Sequence, residues 1–157
     1  MMSIIGVTGH RELTAAITTH VRAQIVAMLR EQPNPLLGLG SLADGADQLF
    51  AETVLQEGGR LHVVLPAAGY ENTLHDGKTY QRLLAAAAEV TTLDFTEPGP
   101  PAYEAAGRYV AERCDLLVAV WDGDTPRGPG GTFAAVSYAR SIGKPVRICW
   151  PDGAVRP

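Results

Sequence analysis

The residues able to do chemistry in this chain gather in four glycine-bearing segments. They are GVTGHREL from Gly6, GSLADGAD from Gly40, PAAGYENTLHDG from Pro66 and WDGDTPRGPGGT from Trp121. In the first, Gly9 lets main-chain N–H groups approach a ligand, and the Arg11 fork suits a phosphate beside His10. A plain strand-to-helix turn with a surface arginine would look the same. The spacing matches neither GxGxxG nor GxxxxGK[ST], which argues against a conventional dinucleotide site and a P-loop. In the last segment, Gly128, Gly130 and Gly131 precede Thr132 at a helix start. Clustered glycines there form a nest of donors at the positive end of a helix, an anion site, with Arg127 as a nearby cation. Asp122 and Asp124 suit a divalent cation or ribose hydroxyls, or simply form the turn.

The second segment offers Ser41 and Asp44 for a sugar hydroxyl, next to Gly45. Asp47 falls at a helix start, where capping is its ordinary use. The third is the longest irregular stretch. Its Tyr70, Glu71, Asn72 and His75 could close over a ligand as a lid, or the stretch could be merely mobile. The four histidines show no metal-ligand spacing, and no metal site is expected.

For these segments to meet, the elements between them must bring them to one edge. The apolar pattern predicts strands over 3–8, 36–40, 61–65, 90–95, 115–121 and 145–150. It predicts helices over 14–31, 46–57, 76–89, 101–113 and 132–142, with Thr14 as an N-cap and Gly143 as a stop. Residues 151–157 read as a frayed tail after one domain spanning 1–150. Strands alternating with helices imply parallel pairing, and strands apolar throughout imply helices on both faces. The expected fold is α/β: a three-layer Rossmann-like domain with a mainly parallel sheet. In such sheets ligands bind beyond the carboxyl ends of the strands, where all four segments fall.

Composition narrows the function. Of 157 residues, 46% are hydrophobic and 19% charged, which excludes a disordered chain. The net charge of −4, with no Lys/Arg run, makes a nucleic-acid partner unexpected. Cys114 and Cys149 sit in or beside apolar runs and read as free thiols of a cytoplasmic protein. No apolar run is long enough to span a bilayer. The stretch 83–88 (LLAAAA) could pack on the sheet or on a second copy of the chain, so a homo-oligomer, dimer or tetramer, is expected.

Three stretches together resemble the SLOG superfamily: GVTGHREL, GSLADGADQLFAE and CDLLVAVWDGDTPRGPGGTFAAVSYARSIGKPV. That group includes the LOG phosphoribohydrolases, DprA/Smf and the YpsA-type proteins. The TGHR and GADQ segments look closest to the YpsA-like branch. The resemblance implies a Rossmann-like domain binding a nucleotide or a nucleotide-derived, phosphoribosyl or ADP-ribose-like ligand. It places Gly9, His10 and Arg11 on the first loop, Ser41, Asp44, Gly45 and Asp47 on the second, and Gly128, Gly130, Gly131 and Thr132 around phosphate. LOG enzymes carry PGGxGTxxE, whose Glu serves cleavage of the N-glycosidic bond. Here Phe133, Ala134, Ala135 and Val136 follow Thr132, and alanine cannot activate water. The expectation is therefore a small nucleotide-binding protein, a sensor. An N-glycosidic hydrolase using Asp44, Asp122 or Glu71, and a DprA-like single-stranded DNA or scaffold role, stand as alternatives.

Overall fold

The computed structural model describes residues 2–124 and 131–157. Six strands form one wholly parallel sheet: β1 (Ser3–Gly9), β2 (Leu36–Gly40), β3 (Arg60–Leu65), β4 (Glu89–Thr92), β5 (Leu116–Val120) and β6 (Val146–Ile148). Their order across the sheet is β4-β3-β2-β1-β5-β6. Five α-helices connect them: α1 (Ala15–Arg30), α2 (Ala46–Gln56), α3 (Gly77–Ala85), α4 (Pro100–Arg113) and α5 (Gly131–Ser141). This is the three-layer Rossmann-like architecture that the alternating pattern predicts.

The strands bury both faces because their side chains alternate into two cores. Ile5 and Val7 of β1 join Val118 and Val120 of β5 under α1, α2 and α3, where Ile17, Val21, Ile25, Phe50, Val54, Tyr80 and Leu83 pack. Leu39, Val64 and Leu117 point the other way, under Ala106, Val110 and Ala111 of α4 and Ala139 of α5. The stripe on α1 is the one its 3.6-residue period predicts, and Thr14 caps it by accepting the Ile17 N–H at 3.1 Å. Leu83 lies in the first core, while Ala85, Ala86 and Ala88 of the alanine stretch are exposed.

The structure corrects several boundaries. Helix α3 stops at Ala85 rather than 89, and β4 starts at Glu89 rather than 90. Pairing decides this: β4 runs beside His62–Leu65 of β3, and Ala88 N–H already donates to Leu61 O at 2.8 Å. Strand β1 runs one residue further than predicted, so Gly9 is a strand residue like Gly6 and Gly40. Gly9 ends β1 directly under α2, where a Cβ would sit 2.4 Å from Ala46 Cβ. The segment 151–157, expected as a frayed tail, folds back on itself at its start. It turns back through Ala154 N–H to Pro151 O (3.2 Å) and Trp150 Nε1–H to Ala154 O (3.0 Å).

Candidate functional site

The strand order reverses between β1 and β5. The chain leaves β1 toward β2 on one side and leaves β5 toward β6 on the other, so a crevice opens between their carboxyl ends. A cleft of about 510 Å³ lies there, within the usual range of small-ligand sites. Gly9, His10, Arg11, Ser41, Asp47, Gly131 and Thr132 line it, together with Tyr70, Tyr103, Trp121, Phe133, Asp124 and Arg156. The sequence-expected loops therefore do converge. Arg127, Gly128 and Gly130 lie outside the described residues.

Local folding explains the first wall. Gly45 enters α2 at φ +76°, and a Cβ there would lie 2.3 Å from Arg11 O. That close approach lets Ala46 N–H donate to His10 O at 3.1 Å and ties the first two loops together. Gly45 and Asp44 do not line the cleft. The Asp44 carboxylate instead accepts the His75 N–H (3.0 Å) and the Asp76 N–H (3.3 Å), across some thirty residues. Asp47 is not the helix cap, since Gly45 holds that position. Its Oδ2 accepts the N–H groups of Ser41 (3.2 Å) and Ala43 (3.4 Å), closing the loop from inside. Burial pushes its carboxyl up to about 6, although those N–H groups and Arg11 pull it down.

Of the four lid candidates only Tyr70 reaches the cleft, and it is no lid. Its side chain is 1% exposed and meets Tyr80 and Tyr103 edge-on, each with ring centres 6.3 Å apart. Burial, followed by the neighbouring Asp47 charge, holds its phenol protonated well above the ordinary range. Glu71 faces a separate surface hollow with Lys78 and Tyr80. Asn72 sits in the 3-10 turn Tyr70–Thr73, and the His75 side chain is exposed. Arg11 stands over the Tyr103 ring at 5.5 Å.

The opposite wall holds a linked trio. Arg156 Nη1 donates to His10 Nδ1 at 3.0 Å, and His10 Nε2 lies 3.3 Å from Asp122 Oδ1. A guanidinium can only donate, so Nδ1 accepts, and the neutral ring carries its proton on Nε2 facing the carboxylate. The Asp122 N–H, also 3.3 Å from Nε2, then has no lone pair to meet. Asp122 is 5% exposed in its side chain and also accepts the Asp124 N–H at 3.0 Å. Burial raises its pKa, but that N–H, His10 and Arg156 outweigh burial and leave it below the usual carboxylate range. Asp122 is thus spent on protein contacts, and Asp124 lines the cleft, as Asp47 does from the other wall.

Ala135, three residues after Thr132, lines the cleft, and it brings no carboxylate. None of the three suggested substitutes, Asp44, Asp122 or Glu71, lines it; Asp47 does. Among the described residues, no three His, Cys, Asp or Glu side chains come together as metal ligands. Cys114 and Cys149 are free and buried, and no described helix is long and apolar enough to cross a membrane. Sequence reasoning missed Tyr103, Trp121, Phe133 and Arg156. The aromatics follow from the expected elements, since Trp121 ends a strand and Phe133 opens a helix. Arg156 had no local signal.

The architecture and the crevice define a Rossmann-like α/β domain with its site at the switch point of the sheet. No family model and no curated protein matches the chain. Solved structures do. DNA processing protein A (DprA) from Streptococcus pneumoniae superposes with a TM-score of 0.71 at 17% identity, over 94% of this chain and 50% of that one. DprA from Helicobacter pylori, described for its single-stranded DNA binding mode, gives 0.67 at 15% identity, over 93% and 64%. The molybdenum cofactor carrier protein MCP from Chlamydomonas reinhardtii gives 0.60 at 19% identity, over 94% and 76%. The chain thus spans half to under two thirds of the two DprA chains and shares their fold.

Proposed function

We propose that this chain is a small cytoplasmic nucleotide-binding protein, a ligand sensor, holding a phosphoribosyl or ADP-ribose-like ligand in the cleft between β1 and β5. The observation that carries this is a juxtaposition. The start of α5 at Gly131 and Thr132, the Arg11 guanidinium and the aromatic faces of Tyr103, Trp121 and Phe133 all line one 510 Å³ cleft. Donors at a helix start suit phosphate, and aromatic rings suit a base. The buried free thiols Cys114 and Cys149 fit a reducing compartment. The nearness to the YpsA-like branch rests on the TGHR and GADQ residues, and self-association on the exposed alanines of the 83–88 stretch. A thermal-shift screen with AMP, ADP and ADP-ribose tests the reading. A ligand at 100 times its Kd adds about 2.7 kcal/mol, enough for a clear rise in melting temperature. No rise with any nucleotide would overturn it.

One observation favours a second reading. Asp47 is the carboxylate in the cleft with a raised pKa, as a proton-transfer group of an N-glycosidic hydrolase would be. Release of free base from AMP, lost in Asp47→Asn, would establish it. The likeness to DprA also reopens the question of single-stranded DNA, which the net charge of −4 alone argued against. Fluorescence anisotropy with a labelled oligonucleotide decides that point.

A further inference from the structure

Arg156 belongs to no motif, yet it reaches back to the first loop of the fold. Besides its bond to His10, its Nε lies 3.7 Å from Asp122 Oδ2. The side chain is 16% exposed and lines the cleft. Its Nε and Nη2 are nevertheless shut from solvent and make no hydrogen bond. Asp122 does not satisfy them: 3.7 Å is an ion-pair distance, beyond a hydrogen bond. Folding a guanidinium with two donor nitrogens unmet is unfavourable unless an acceptor arrives. The side chain is held in this position by its surroundings. His10 fixes Nη1, Trp150 packs edge-on against His10 with centroids 5.4 Å apart, and the 151–154 turn carries the chain back.

We propose that Arg156 is a ligand-binding residue whose Nε–Nη2 edge takes a phosphate of the ligand, so that the segment 151–157 completes one end of the site. That edge carries two parallel N–H groups, a geometry matched to paired phosphate oxygens. Asp122 offsets the charge of Arg156, so the residue acts through directed donors more than through net attraction. The inference rests on the nucleotide reading for what carries the phosphate, but not for the phosphate itself. An arginine that merely ties the segment to His10 would leave ligand affinity unchanged.

The experiment is a calorimetric titration of the full chain with inorganic pyrophosphate, AMP and adenosine, with melting temperatures recorded alongside. Arg156→Gln is expected to weaken pyrophosphate and AMP at least tenfold and to leave adenosine unchanged. Arg156→Lys, which keeps the charge and stem but not the fork, should fall between. Undiminished pyrophosphate and AMP binding in Arg156→Gln overturns the assignment and leaves the nucleotide reading standing. Pyrophosphate binding that depends on Arg156, with no binding of AMP or adenosine, supports the assignment and overturns the nucleotide reading. Equal losses for AMP and adenosine mark a structural role and overturn it, as does a wild type that binds no pyrophosphate. Should the glutamine variant fail to fold, a lysine variant with native melting temperature and weakened pyrophosphate binding supports it, and one with unchanged affinity overturns it.

Discussion

The two walls of the cleft treat their polar groups in opposite ways. On the wall built from the loops after β2 and β3, the acids are answered from within. Asp44 takes the N–H groups of His75 and Asp76, and Asp47 takes those of Ser41 and Ala43. On the wall built from the loops after β1 and β5 and the segment after β6, donors remain on offer. Arg11 makes one marginal bond, to Thr73 O at 3.5 Å, and Arg156 keeps Nε and Nη2 unbonded. The difference separates construction from recognition. Acids that accept main-chain N–H groups across the sequence fix loops in place. Donors left without a partner are open to an acceptor.

The comparison breaks most severely at the built wall. Gly45→Ala should destabilise the fold by about 3 kcal/mol, because a Cβ at φ +76° would meet Arg11 O at 2.3 Å. Chemical denaturation measures this, and a loss below about 1 kcal/mol would show that the two loops are not wedged together. Asp47 makes a prediction with a sign. Its pKa is raised from 3.8 to about 6, so the folded state holds the proton more tightly than the unfolded. Stability should therefore be fully present below pH 4 and fall as pH rises to 6, by about 3 kcal/mol at 1.36 kcal/mol per unit. Asp47→Asn still accepts both N–H groups and should flatten that window in urea titrations at several pH values.

Asp44→Ala leaves two main-chain donors without a partner and should cost about 2 kcal/mol. Hydrogen exchange would show the loss concentrated at His75 and Asp76. On the donor wall the expected effects fall on binding instead. Arg11→Ala should leave the melting temperature nearly unchanged and weaken AMP by about 1–3 kcal/mol, the range for a charged hydrogen bond. A melting temperature that falls with affinity intact would reverse the assignment of the two walls.

The sequence shows the frame because the frame is local. A 3.6-residue stripe from Ile17 to Leu29 and an unbroken run such as Leu116–Val120 need no distant information. Alternation of the two then dictates a parallel sheet and a common loop edge. The lining of the cleft was legible only where a residue's place belongs to its own loop, as with Gly9, Ser41 and Thr132. Asp44 looked like a sugar ligand because its real partners stand thirty residues away. Asp47 looked like a cap because a helix start offers that role, yet the inward turn of the loop gives it Ser41 and Ala43. Asp122 and Arg156 meet through His10, more than a hundred residues from either, and no spacing rule covers that. The early stop of α3 has the same origin, since the register of β4 on β3 outbids helix propensity in the alanine stretch.

The central claim is that phosphate binds at the donor wall. Gly131 has nothing within 4 Å of a Cβ, but its φ of +79° strains any side chain, so Gly131→Ala serves as the control that carries the strain without the charge. The most direct measurement is a calorimetric titration of AMP into the wild type, Gly131→Ala and Gly131→Asp, the last of which places a negative charge at the start of α5. The account predicts saturable binding in the wild type and in Gly131→Ala, and none in Gly131→Asp. Equal affinity in the wild type and Gly131→Asp, or no binding in the wild type, would contradict it.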